Sequence, residues 1–256
     1  MSALIAPSNL PASSPIFKQL YDVLRQQLSR PAAEWLMQTL DQVANAQSVR
    51  PLLTGFSTAS RQVGKADLER ELLNPDEHNF RHWSTDQAAR TLLLLTFPSG
   101  EAARYQQVVQ RLLDNADVSE QVALYQSLPF LPYPESYCAQ AVEGVRSAMT
   151  AVFEAIALRN PYPATYFDEP AWNQMVLKAL FEGSELSAIE GLDQRANPQL
   201  AQMLCDYAHE RWAANRPVNP QLWRPVAPFA QGEMLADLQR GAQHTATEKR
   251  KLINAE

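Results

Sequence analysis

The stretch NPYPATYFDEPAWNQMVLKALF, Asn160 to Phe181, decides the fold. At 100° per residue, the run after Pro170 places Gln174, Lys178 and Glu182 on one narrow stripe. Trp172, Met175, Val176, Leu177, Ala179, Leu180 and Phe181 cover nearly all the rest, the pattern of a helix buried on most sides. Pro170 suits the first helical turn. Asp168 or Glu169 therefore lies at or beside the N-cap, where a carboxylate accepts backbone N–H groups and complements the helix dipole. That accounts for one acid. It does not account for the second, or for the aromatics Tyr162, Tyr166, Phe167 and Trp172 around the pair. Two adjacent carboxylates beside aromatic surface suit a polyol, an amine or a metal.

Working outward, the apolar spacing stays helical along the chain, and Val, Ile and Thr do not gather into alternating strands. The periodicity predicts helices near 15–29, 31–46, 48–62, 66–73, 84–97, 99–115, 118–128, 135–158, 169–182, 197–214, 219–228 and 231–240. The 18 prolines sit at the edges of these runs, where they open or end helices. PYPESY at 132–137 recurs as PYPATY at 161–166, and NPQL at 197–200 recurs at 219–222, with Asn as N-cap and Pro at N1. Such repeats predict an all-α fold of stacked helical hairpins, a HEAT-like or irregular α-solenoid, with a compact helical bundle as the alternative. The expected organisation is a flexible N-terminus over 1–14, one all-helical domain over 15–243, and a flexible charged tail over 244–256.

Composition excludes several classes. The 256 residues carry a net charge of −6, and the only basic cluster is Lys249–Arg250–Lys251, so no nucleic-acid face is expected. The longest aliphatic run, Leu92 to Leu95, is far short of the roughly 20 residues of a membrane span, so no membrane insertion is expected. The N-terminus does not read as a signal peptide, and two cysteines make no disulfide framework; a cytoplasmic location follows as the expectation. There is no phosphate-binding glycine loop, no nucleotide fingerprint, no G-x-S-x-G and no Cys pair at zinc spacing. His78 and His82 are four apart, but no Glu follows His78 and the flanks suggest an irregular link. Neither a metal nor a cofactor is expected.

The informative residues are polar groups standing where apolar ones belong. Asn173 falls in the apolar arc after Pro170, and a buried amide without partners costs about 1–3 kcal/mol. In the run from Pro198, Arg211 projects into the apolar face and His209 borders it. In STDQAARTLLLLTF, Ser84 and Gln87 have capping-box spacing, and Asp86 and Arg90 are four apart on a helix surrounded by leucines. Each has a structural reading: a hydrogen bond to a loop, a snorkelling arginine, a boundary histidine, an internal ion pair. The alternative is one shared cavity. Arg90, Asn173 and Arg211 would converge there with Tyr166, Asp168, Glu169, Trp172 and His209 around a small polar ligand. The segment 154–210 holds nine acids against three bases, most simply a solvated acidic face.

The segments LYQSLPFLPYPESY, VFEAIALRNPYPATYFDEPAWNQMVLKALF, GLDQRANPQLAQMLCDYAHERWAANR and LWRPVAPF, roughly 124 to 229, together with WSTDQAARTLLLL near 83–95, resemble the EboA domain family. The resemblance implies genomic company more than mechanism: bacterial clusters that also encode a UbiA-like prenyltransferase, a sugar-phosphate-cyclase-like enzyme, a TatD-like hydrolase and sugar-isomerase-like barrels, linked to making or exporting a secondary metabolite. It points to a small-molecule pathway and leaves the chemistry open; our reading is a binding or scaffolding component that holds a polar cyclitol- or sugar-like intermediate or docks other enzymes of that pathway. The resemblance assigns no residue a role. The alternatives are a cofactor-independent enzyme using Asp168/Glu169 and His209 as acid–base groups, and a metal-bound hydrolase or isomerase.

Overall fold

The computed structural model describes residues 14–73 and 80–242. Helices take up 73% of those residues and form no sheet; an isolated antiparallel bridge joins Asp67 to Ser84. The fold is all-α. The expected flexible ends, 1–14 and 244–256, lie outside the described residues except for Ser14, whose Oγ accepts the Phe17 N–H. The chain divides into two compact units at Ala141–Val142.

The first unit holds α1 (Pro15–Gln27), α2 (Arg30–Ala44), α3 (Arg50–Val63), α4 (Thr85–Thr96), α5 (Ala102–Asn115) and α6 (Val118–Ser127). Its centre is α4, which packs against α1, α2, α3 and α6. The leucines all round its axis require this: Leu92 and Leu93 are fully buried and Leu94 nearly so. The expected capping box is present, with the Ser84 N–H donating to Gln87 Oε1 at 2.7 Å. The predicted helix over 66–73 is not there. The Asp67 bridge and a 3-10 turn at Arg70–Leu72 stand in its place.

The second unit begins inside α7 (Cys138–Val145) and continues through α8 (Thr150–Ala157), α9 (Tyr162–Tyr166), α10 (Glu169–Glu182), α11 (Pro198–Ala213), the short α12 (Trp223–Val226) and α13, which starts at 233 and is described as far as 242. The predicted single helix over 135–158 is broken: a 3-10 turn precedes α7, and residues 146–149 separate α7 from α8. The centre here is α10. Trp172, Met175, Val176 and Ala179 are fully buried, and large side chains so placed contribute roughly 2–3 kcal/mol each.

Two contacts set the direction of α11 against α10. Asn173, in the second turn of α10, meets Asn197 at the start of α11; Tyr207, late in α11, donates to the Leu180 carbonyl near the end of α10 at 3.3 Å. The two helices therefore run parallel. A parallel pair needs a long return, and the connection over 183–197 supplies it. Gly191 lies in that return at φ 77°, and a Cβ there would stand 2.7 Å from that of Ala164. Both the backbone angle and the close approach call for glycine.

Candidate functional site

The opening stretch supplies a cleft in the second unit. Its volume is about 470 Å³, and it lies between the end of α7 and the first turns of α10. Val142, Val145, Phe167, Pro170 and Ala171 form the apolar wall; Arg146, Asp168, Gln174 and Lys178 are the polar groups. Asp168 is the N-cap of α10, its Oδ1 accepting the Ala171 N–H at 2.9 Å. A carboxylate has about four acceptor sites, so this cap leaves capacity facing the cleft.

Lys178 reaches across to α7. Its Nζ donates to the carbonyls of Val145 (2.7 Å) and Ser147 (2.6 Å) and stands 4.9 Å from the centre of the Phe153 ring. An ammonium at the end of a helix satisfies carbonyls that have no partner within it and complements the dipole. Two of its three N–H groups are used in this way, so the cation is fixed at the cleft edge with one donor to spare. Arg146 pairs with Glu143 at 2.7 Å, but both side chains are mostly exposed and the pair holds little.

Beside the cleft, a second cluster gathers around Trp172, which is fully buried. Arg195 lies 4.9 Å above its ring, and Arg195 Nη1 donates to the carbonyls of Pro163, Ala164 and Phe167 at 3.2, 3.1 and 2.8 Å. This guanidinium closes the C-terminal end of α9. Asn173 and Asn197 exchange amide hydrogen bonds of 3.2 and 2.8 Å, and Asn197 Oδ1 also accepts the Leu200 N–H. Asn173 is therefore satisfied by a second amide. Tyr166 packs against Tyr162 with ring centres 4.7 Å apart and planes tilted by 38°, and Glu169, next to the cap, is exposed.

The other predicted site residues lie elsewhere. Arg90, in the first unit, is 1% exposed. Its Nη1 donates to Asp86, its Nε donates to the Phe56 carbonyl at 3.0 Å, and its guanidinium lies 5.4 Å from the centre of the Phe56 ring. This is the internal ion pair that the i, i+4 spacing allowed. Arg211 is half-buried, with Nε donating to the Pro217 carbonyl at 3.0 Å. His209 Nε2 lies 2.8 Å from Asp237 Oδ2 on α13.

The expected convergence of Asn173 with Arg211 does not occur. The parallel packing puts Asn173 at the Asn197 end of α11 and Arg211 fourteen residues further on, about 20 Å along the axis at 1.5 Å per residue. For the same reason Asp168 and Glu169 do not meet His209, so the acid–base arrangement imagined for them is not assembled. Of the predicted site residues, Asp168 alone lines the cleft. Lys178, Gln174 and Arg146 were missed. The signal for the first two was in the sequence, since they form the only polar stripe on an otherwise apolar helix.

Among the described residues, no group of three His, Cys, Asp or Glu side chains is placed to hold a metal, and no helix is long and apolar enough to cross a membrane. His78 lies outside the described residues.

These features define an all-helical protein with an open cleft of mixed polarity at the head of a central helix. The chain belongs to the EboA family: the family profile, described as "Metabolite traffic protein EboA", matches residues 16–227. The match extends well beyond the 124–229 and 83–95 segments that carry the resemblance and takes in all of α2 to α12. No curated protein and no solved structure matches the chain significantly.

Proposed function

We propose that this protein is a non-catalytic carrier that holds a small polar metabolite in the cleft between α7 and α10. The observation that carries the reading is the arrangement at Lys178, a cation fixed by two backbone carbonyls beside an open space, with Asp168 and Gln174 nearby and an apolar wall opposite. A sugar-like or cyclitol ring has the same two characters. Its C–H face suits Phe167 and Pro170, and its hydroxyl edge suits an amide, a carboxylate and an ammonium, which together offer donors and acceptors. The family description as a metabolite traffic protein agrees with handling rather than transformation. In this reading the carrier serves other enzymes of a secondary-metabolite pathway, as the resemblance implies.

The test is native mass spectrometry of the purified protein beside a Gln174→Trp variant. Gln174 is exposed, so an indole there fills the cleft without disturbing the core. The expected result is a small-molecule adduct on the wild type that is missing from the variant at equal thermal stability. A wild type without an adduct, or a variant that keeps it, would overturn the reading.

A further inference from the structure

A single exposed apolar side chain needs no explanation, but a contiguous set does. At the end of α10 away from the cleft, Phe181 is 65% exposed. Its ring meets that of Tyr207 on α11 edge to face, with centres 5.0 Å apart. One turn earlier on each helix, Leu177 and Met203 are half-buried, so the parallel α10 and α11 leave an apolar furrow between them. On the other side of Phe181, Glu182 Oε2 accepts the Thr150 hydroxyl at 3.1 Å. That bond brings the start of α8 alongside, and Met149, next to Thr150, is 55% exposed. The patch thus runs from Met149 across Phe181 to Met203, all within the second unit. Its border is acidic. Glu182, Asp206 and Glu210 are exposed, and among the described residues none of the three is in an ion pair. The nearest Lys and Arg in the chain, Lys178 and Arg211, donate to backbone carbonyls, the first to Val145 and Ser147, the second to Pro217.

We propose that this patch docks a basic amphipathic segment of a partner protein. The segment's apolar side chains cover Phe181 and the furrow, and its lysines or arginines meet Glu182, Asp206 and Glu210. The charges choose among occupants. A second copy of this chain laid on the patch would set the same carboxylates against each other, and an anionic lipid surface would be repelled by them. A basic segment neutralises the border while its apolar face is covered, the mode in which an amphipathic helix lies in a groove. The patch takes the last turns of α10 and the cleft takes the first, so this docking stands or falls apart from the ligand in the cleft.

The experiment selects a phage-displayed library of random peptides, each long enough for about three helical turns, on the full chain. The enriched peptides are then synthesised and their binding measured by fluorescence anisotropy. Phe181→Ser removes the exposed ring without reaching the core. A second variant, Glu182→Gln with Asp206→Asn and Glu210→Gln, keeps the ring and removes the charge. The expected result is that enriched peptides carry net positive charge with apolar residues three or four apart. Each should bind either variant at least about tenfold more weakly than the wild type, at equal thermal midpoints. No enrichment, peptides without positive charge, or binding that either variant keeps would overturn the proposal. So would a wild-type dimer in sedimentation velocity that Phe181→Ser makes monomeric, because a second copy would then cover the patch. Sedimentation with phosphatidylglycerol vesicles that is lost on Phe181→Ser would overturn it in favour of a lipid surface.

Discussion

On α4, Asp86 and Arg90 satisfy each other inside the protein, whereas on α10 Asp168 and Lys178 hold neighbouring backbone and still face open space. Both helices are apolar round most of their circumference, and both carry charged groups. The difference is in what remains after the internal hydrogen bonds are made. Arg90 is 1% exposed, with Asp86, a backbone carbonyl and an aromatic ring around it. Lys178 has a donor left and a cleft beside it. A polar group on a central helix thus marks a site only when its bonding capacity exceeds what the fold consumes.

The comparison is broken most severely at Arg90. Arg90→Met leaves the Asp86 carboxylate enclosed with only hydroxyls for company, the Oγ of Ser84 and of Ser119. The loss should be about 3–5 kcal/mol, read from urea unfolding. Asp86→Leu combined with Arg90→Met should recover most of it, since replacing a buried pair by apolar groups is far cheaper than breaking it. A double variant no better than the single would mean that α4 is not a closed pair.

Next in size is Asn197→Ala. It removes the cap on the Leu200 N–H and strips Asn173, itself 1% exposed, of its amide partner. Together these should cost about 2–3 kcal/mol, measured by thermal unfolding. Asn197→Asp keeps the cap and an acceptor for Asn173, and should lose less than half as much.

The caps of this fold were legible in the sequence because a cap is a local matter of three or four residues. Ser84 with Gln87, Asn197 with Pro198, and Asp168 before Pro170 all stand where the spacing put them. The buried character of α4 and α10 was legible for the same reason. What failed depends on partners distant in sequence. Lys178 reads as one more residue on a solvated stripe until α7 ends beside it. The parallel course of α11, which separates Asn173 from Arg211, is set by the 183–197 return and by Gly191 within it, and no periodicity encodes it.

The two tyrosine–proline copies show this limit most plainly. Tyr162 starts a helix, while Tyr133, also before a proline, takes a left-handed backbone at φ 57° with its hydroxyl donating to the Ser99 carbonyl at 2.6 Å. Nearly the same six residues thus form two structures, because their surroundings differ.

A further effect concerns the interior of α11. Burial first, then the carboxylates of Asp237, Asp206 and Glu233, push the Cys205 thiol up to about 11 from an ordinary 9.0. The folded chain holds this proton more tightly than the unfolded chain. Its contribution to stability is therefore complete below pH 9 and fades as the pH rises through about 11. A Cys205→Ala variant should lose less of its thermal midpoint over that window than the wild type. An identical decline in both would mean that the folded chain does not hold this proton more tightly than the unfolded one. At pH 8, iodoacetamide should modify Cys138 well before Cys205, which is 1% exposed.

The central claim is that the α7–α10 cleft, and not the charged interior of α4, is where this protein meets a small polar molecule. Amide chemical shifts during titration with myo-inositol and with glucose, each to about 10 mM, a range that reveals even weak binding, test it most directly. The account predicts that shifts over 142–147 and 167–178 move with at least one of the two ligands while those over 85–96 stay in place. No movement in the first two segments with either ligand, or movement centred on 85–96, would contradict it.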